Sequence, residues 1–174
     1  MRHVLAALGL LLLGFLGPLG CHSGDNCDSG GHCECSGGDQ CFLGCDGDHC
    51  DQSCHNMGNE CGTVCGDDCT SQCYGLGNQC SQSCGAGCSL ECSQTPKCGA
   101  ICGADCHYVC HDTSRCAVQV GPGSDVTCTS VAACVVTCTG SCNVHCSNNG
   151  CDIHCGDGSA ATMCDSGRYA CGGC

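Results

Sequence analysis

The stretch Cys80-Ser-Gln-Ser-Cys84-Gly-Ala-Gly-Cys88-Ser-Leu-Glu-Cys92 decides the fold. Four Cys recur at every fourth residue, and the same block stands at Cys61, Cys65, Cys69, Cys73, at Cys98, Cys102, Cys106, Cys110 and at Cys134, Cys138, Cys142, Cys146. Block starts are separated by 19, 18 and 36 residues, so one copy is expected at residue 116. Cys116 and Cys128 are both present, with Val120 and Ser124 at the two middle positions. A fixed period of this size marks a repeat architecture in which each unit stacks on its neighbours. Less regular copies flank the array at Cys41–Cys54 and Cys151–Cys164.

Composition decides strand against helix. Segments such as Cys134-Val-Val-Thr-Cys138, Cys142-Asn-Val-His-Cys146 and Cys151-Asp-Ile-His-Cys155 put Cys, apolar, Cys on one face of a strand. Between second and third Cys come Gly66-Asp-Asp68, Gly85-Ala-Gly87, Gly103-Ala-Asp105, Gly121-Pro-Gly123 and Thr139-Gly-Ser141. These are turn sequences, and Gly-Pro-Gly cannot continue a helix. Each block reads strand, three-residue turn, strand, longer turn. Stacked blocks predict an all-β fold: a narrow, disulfide-bridged β-solenoid of ~18-residue coils with small irregular caps. Inward middle positions are Thr63, Gln82, Ala100, Val118 and Val136 on one strand, and Ser71, Leu90, Tyr108, Val126 and Val144 on the other. Gln82 is the awkward member.

The degenerate block suggests how the Cys pair. If the first pairs with the last and the second with the third, losing both middle Cys deletes one whole bridge and orphans no thiol. The expected bridges are therefore nested: Cys61–Cys73 with Cys65–Cys69, Cys80–Cys92 with Cys84–Cys88, Cys98–Cys110 with Cys102–Cys106, Cys116–Cys128 alone, and Cys134–Cys146 with Cys138–Cys142. At about 2–4 kcal/mol each in chain-entropy terms, such bridges could replace a hydrophobic core.

A replacement is needed. Of 174 residues 31 are Cys and 29 Gly, and residues 21–174 carry just 29 ordinary apolar side chains, with no Trp and one Phe, Phe42. That is too few for a conventional core. The chain has no second long apolar run after the leader, which excludes a multi-span membrane protein. Four Lys+Arg against 17 Asp+Glu exclude a nucleic-acid binder that works through phosphate contacts.

Residues 1–20 read as an export signal: Met1-Arg2-His3 is a short positive start and Val4 to Leu16 an apolar stretch too short to span a bilayer. Leu19-Gly20-Cys21 resembles a bacterial lipobox, in which Cys21 carries lipid and becomes the new N-terminus. Pro18 stands where the pattern usually has Leu. The parity of the Cys agrees, because removing Cys21 leaves an even thirty. His22 after the Cys implies the outer membrane under the enteric sorting rule. Plain secretion is the alternative. Residues 21–40 are expected to form a tether or irregular cap, residues 41–164 the solenoid and residues 165–174 a closing cap.

Thirty thiols and nine His suit Zn²⁺ or Cu⁺, but Cys at the two ends of an extended Cys-x-x-x-Cys are about 13 Å apart. Export also favours disulfides, so no metal site is assigned. His107, His145 and His154 are expected to point outward into water. Asp46-Gly-Asp48 with Asp51 suggests Ca²⁺ ligation, yet a solvated turn is the simpler reading. Cys171-Gly-Gly-Cys174 resembles a redox pair without the βαβ context, and a structural terminal bridge is expected. Thr127-Cys-Thr129 and Thr137-Cys-Thr139 look like the repeats of beetle antifreeze solenoids, but Gly62, Val64, Ser81, Ser83, Gly99 and Ile101 break the Thr ladder that family needs. No hydrolase, zincin or phosphate-loop motif occurs, so no catalytic residue or cofactor is expected.

The lipobox-like Leu19-Gly20-Cys21 and the Cys-x-x-x-Cys array of residues 41–155 together resemble the Cys-rich repeat lipoproteins found among bacterial surface proteins. The resemblance implies a non-enzymatic, lipid-anchored protein of the cell surface with a structural or partner-display role. Its partners would be the membrane, through the N-terminal lipid, and an unidentified protein or surface. A thiolate or His metal-binding protein is the runner-up.

Overall fold

The repeat winds as expected. The computed structural model describes residues 25–147 and 151–174, and these form fifteen strands and no helix. In chain order they are β1 (Asp25–Cys27), β2 (His32–Ser36), β3 (Gln40–Cys45), β4 (Asp51–His55), β5 (Glu60–Val64), β6 (Thr70–Tyr74), β7 (Gln79–Cys84) and β8 (Ser89–Ser93). There follow β9 (Lys97–Cys102), β10 (His107–Val120), β11 (Ser124–Cys138), β12 (Cys142–Cys146), β13 (Cys151–Cys155), β14 (Thr162–Asp165) and β15 (Arg168–Cys171). The result is a β-solenoid of about 7 turns.

Alternate strands share a face. One face is the parallel ladder β1, β3, β5, β7, β9, the second half of β10, the second half of β11, and β13. The other is β2, β4, β6, β8, the first half of β10, the first half of β11, and β12. β10 and β11 are long because they run from one face to the other through the longer turn. Cys stacks on Cys through the array: Cys61 on Cys80, Cys80 on Cys98, Cys98 on Cys116 and Cys116 on Cys134. This register holds because a slip of one residue would turn every Cys outward.

The interior is one residue thick. All ten expected inward positions, from Thr63 and Ser71 to Val136 and Val144, are buried. Gln82 is not a misfit. Its Nε2 donates to Ser71 O (2.9 Å) on β6 and Glu91 O (3.2 Å) on β8, tying the two faces together. Gln52 does the same toward Leu43 O and Val64 O. Bonding the carbonyls reduces the cost of burying an amide, although Oε1 of each Gln has no partner. A further buried column fills the longer turn: Met57, Leu76, Thr95, Thr113 and Val131.

The short turns stack closely. An added Cβ would lie 2.7 Å from Gly85 C at Gly103, and 2.5 Å from Gly103 C at Gly121. Glycine is required there for close approach. Asp48 Oδ1 accepts from Asp67 N–H (2.8 Å), and Asp67 Oδ1 from Ala86 N–H (2.7 Å), so each turn fastens the next. Asp48 therefore has a backbone partner within the turn stack, and Asp51 faces His32 at 3.0 Å.

Both ends differ from expectation. Residues 25–40 are not a tether: β1 pairs with β3 and β2 with β4, so the first described residues already belong to the winding. The short Gly-rich turns there disguise the period. At the other end β14 and β15 form an antiparallel hairpin, and β15 lies antiparallel on β12. This ends the parallel ladder and covers its edge. The proposed export signal (1–20) and Cys21 lie outside the described residues.

Candidate functional site

Sulfur lines both edges of the solenoid, because each strand ends with an inward Cys and each turn returns the chain to another. At the longer-turn edge the bridges are Cys35–Cys41, Cys54–Cys61, Cys73–Cys80, Cys92–Cys98, Cys128–Cys134 and Cys146–Cys151. At the short-turn edge they are Cys27–Cys33, Cys45–Cys50, Cys102–Cys106 and Cys138–Cys142. Cys155–Cys171 and Cys164–Cys174 close the C-terminal hairpin.

The nested connectivity is thus corrected. Cys102–Cys106 and Cys138–Cys142 join as expected, but Cys61–Cys73, Cys80–Cys92, Cys98–Cys110, Cys116–Cys128 and Cys134–Cys146 do not form. The fourth Cys of a block bonds instead to the first Cys of the next. The longer turn brings these two together, with Cα–Cα distances of 6.3 Å for Cys73 and Cys80 and 6.0 Å for Cys92 and Cys98, within disulfide reach. The degenerate block could not discriminate: Val120 and Ser124 replace a second–third pair, which both connectivities share. Cys171 and Cys174 are not bonded to each other, because the hairpin carries them to Cys155 and Cys164.

Among the described residues six Cys are unbonded: Cys65, Cys69, Cys84, Cys88, Cys110 and Cys116, all buried. The expected bridges Cys65–Cys69 and Cys84–Cys88 are therefore open. Cys110 and Cys116 form an isolated thiol pair at the longer-turn edge, under Tyr108, whose hydroxyl oxygen accepts from Cys116 Sγ at 3.7 Å. Hydrogen bonds from the Cys116 thiol, and then from the Thr113 hydroxyl, hold Cys110 below the usual thiol range against the opposing effect of burial.

The other four converge in two adjacent coils. Cys65 and Cys69 flank the turn Gly66–Asp68, and Cys84 and Cys88 the turn Gly85–Gly87 directly beside it. The Sγ atoms of Cys65, Cys69 and Cys88 lie within 4.8 Å of one another, while Cys84 Sγ is 2.8 Å from Cys102 Sγ. The 13 Å objection drawn from sequence applies along a strand such as Cys61–Cys65; across the turn the same spacing brings two sulfurs together. Thiol hydrogen bonds from Cys65 and then Cys84 hold Cys88 far below the usual thiol range. Cys65 and Cys84 are pushed up, first by the same bonds to Cys88 and then by burial.

The two strand faces are unlike. On the face of β2, β4 and β8, His32, Glu34, Asp51 and His55 are polar neighbours, Glu91 faces His111, and His55 stacks on Tyr74 with ring centroids 5.1 Å apart. His107, His145 and His154 are exposed, as expected. The opposite face is small and apolar. Phe42, Val64 and Ile101 are exposed around Gly62, Ser81 and Gly99, in a shallow groove of about 360 Å³. No family model, curated protein or solved structure matches the chain.

Proposed function

We propose that this chain is an exported, non-enzymatic, lipid-anchored surface protein that displays a rigid strand face to a partner. Twelve disulfides suit an oxidising compartment outside the cytoplasm. The observation that carries the reading is where they sit. All the array's bridges lie at the two edges, so both strand faces are held flat without being interrupted. The acidic, His-bearing face from β2 to β12 is then an extended surface whose shape is fixed before any encounter. Such preorganisation limits the ordering cost of binding, and a solenoid offers it along its whole length.

The anchor rests on Leu19-Gly20-Cys21 and on the even thirty Cys beyond it. Detergent-phase partitioning of the full-length precursor expressed in a diderm bacterium tests it. The wild-type chain should enter the detergent phase and Cys21→Ser should move to the aqueous phase. Equal partitioning of the two would remove the anchor from the reading.

A further inference from the structure

We propose that Cys65, Cys69, Cys84 and Cys88 form a buried four-thiolate site for a soft closed-shell cation, Zn²⁺ or Cu⁺. The site is independent of the lipid anchor and of the displayed face.

Geometry carries the inference. Three sulfurs, on Cys65, Cys69 and Cys88, already lie within 4.8 Å of one another. A tetrahedron with Zn–S bonds of about 2.3 Å has edges of about 3.8 Å, so the three need to close by no more than about 1 Å. Cys84 is the fourth ligand. Its Sγ lies within 4.8 Å of Cys88 Sγ, so it already adjoins one member of the trio. Cys102 cannot serve, because its bond to Cys106 leaves it no thiolate to offer. The bridges Cys45–Cys50 and Cys102–Cys106 bound the cluster on either side. Two stacked turns therefore supply two ligands each from positions that the flanking coils use for a disulfide.

The chemistry favours a soft cation. All four ligands are sulfur, and turn carbonyls accept from two of them: Gly66 O and Asp67 O at 3.7 and 3.5 Å from Cys69 Sγ, and Gly66 O at 3.5 Å from Cys88 Sγ. Thiolate sets of this kind select Zn²⁺ and Cu⁺ over hard cations. Binding forms four metal–sulfur bonds and releases the thiol protons to solvent, so affinity rises with pH. No electron is transferred, and metal-bound thiolates are held back from oxidation. Cys110 and Cys116 form just a pair, and serve as an internal control.

The test uses the full exported chain, purified without reductant or chelator and analysed for metal, free thiols and disulfide map. One Zn²⁺ or Cu⁺ per chain is expected, with Cys65–Cys69 and Cys84–Cys88 absent from the map. Co²⁺ substitution should give the absorption of a tetrahedral thiolate centre. Cys65→Ser and Cys88→Ser should each abolish that spectrum, and the Cys110→Ser/Cys116→Ser double variant should keep it. Circular dichroism establishes that each variant has folded. Isolation of a metal-free chain in which those four Cys are bridged would overturn the proposal. So would a metal ion retained by both Cys65→Ser and Cys88→Ser.

Discussion

Cys92 is bonded to Cys98, the first Cys of the following coil, and not to Cys80, the first of its own. Each such bridge closes a turn and so fixes the rise from one coil to the next. Proteolysis under non-reducing conditions should therefore release Cys73–Cys80, Cys92–Cys98 and Cys128–Cys134 as linked peptides. The loops they close are short, 6 or 7 residues, so each bridge lies toward the lower end of the chain-entropy scale. Recovery of Cys80–Cys92 instead would mean that the coils are stapled across themselves.

Gly103 should tolerate no side chain. Its missing Cβ would lie 2.7 Å from Gly85 C, 2.8 Å from Gly85 O and 2.9 Å from Ala86 N. These are backbone atoms of the adjacent turn and cannot swing aside. Gly103→Val is expected to destabilise the oxidised protein by about 1–3 kcal/mol, as overpacking does. Denaturant titration would show it, and an unchanged midpoint would argue against close stacking of the short turns. Ala104→Val, one residue along the same turn, is the control.

Tyr108 is the largest fully buried side chain among the described residues. Tyr108→Ala should cost about 3–5 kcal/mol, the range for emptying an aromatic site. Tyr108→Phe should cost about 1 kcal/mol, because it removes just the acceptor for the Cys116 thiol. The gap between the two variants in the same titration measures how far ordinary packing supports this part of the solenoid. Equal effects would assign the contribution to the hydroxyl alone.

The difference between what sequence reveals and what it conceals is physical. Thr63, Leu90, Val118 and Val126 were legible as interior because each alternates with Cys inside a fixed period. Bridge partners were not. A Cys at a strand end has neighbours before, beside and after it along the winding, and a one-dimensional spacing does not separate them. The buried column Met57, Leu76, Thr95, Thr113, Val131 keeps the same 18- or 19-residue period, but the chemical variety of its members hides it. Cys65, Cys69, Cys84 and Cys88 occupy the same block positions as bridged Cys, so their convergence needed three dimensions. The β2 coil was concealed by turns of irregular length.

His111 gives the solenoid a pH dependence of definite sign. Its Nδ1 is 2.9 Å from Asp112 Oδ2 and its Nε2 3.2 Å from Glu91 Oε1. In register it lies beside Ser93 on β8 and Thr129 on β11, both uncharged. The hydrogen bond to Asp112 first raises its pKa above the ordinary 6.5; burial opposes the rise, and Glu91 adds to it. A raised folded-state pKa means that the protonated imidazole stabilises the fold. The stabilisation is fully present below the unfolded value and is lost as pH rises through the folded one. The thermal midpoint should therefore fall between about pH 6 and about pH 8. His111→Gln keeps a hydrogen-bonding group but cannot be charged, and should flatten that fall. Both partners are more than one-third exposed, so the effect should also shrink at high salt. A slope equal in wild type and His111→Gln would overturn this assignment.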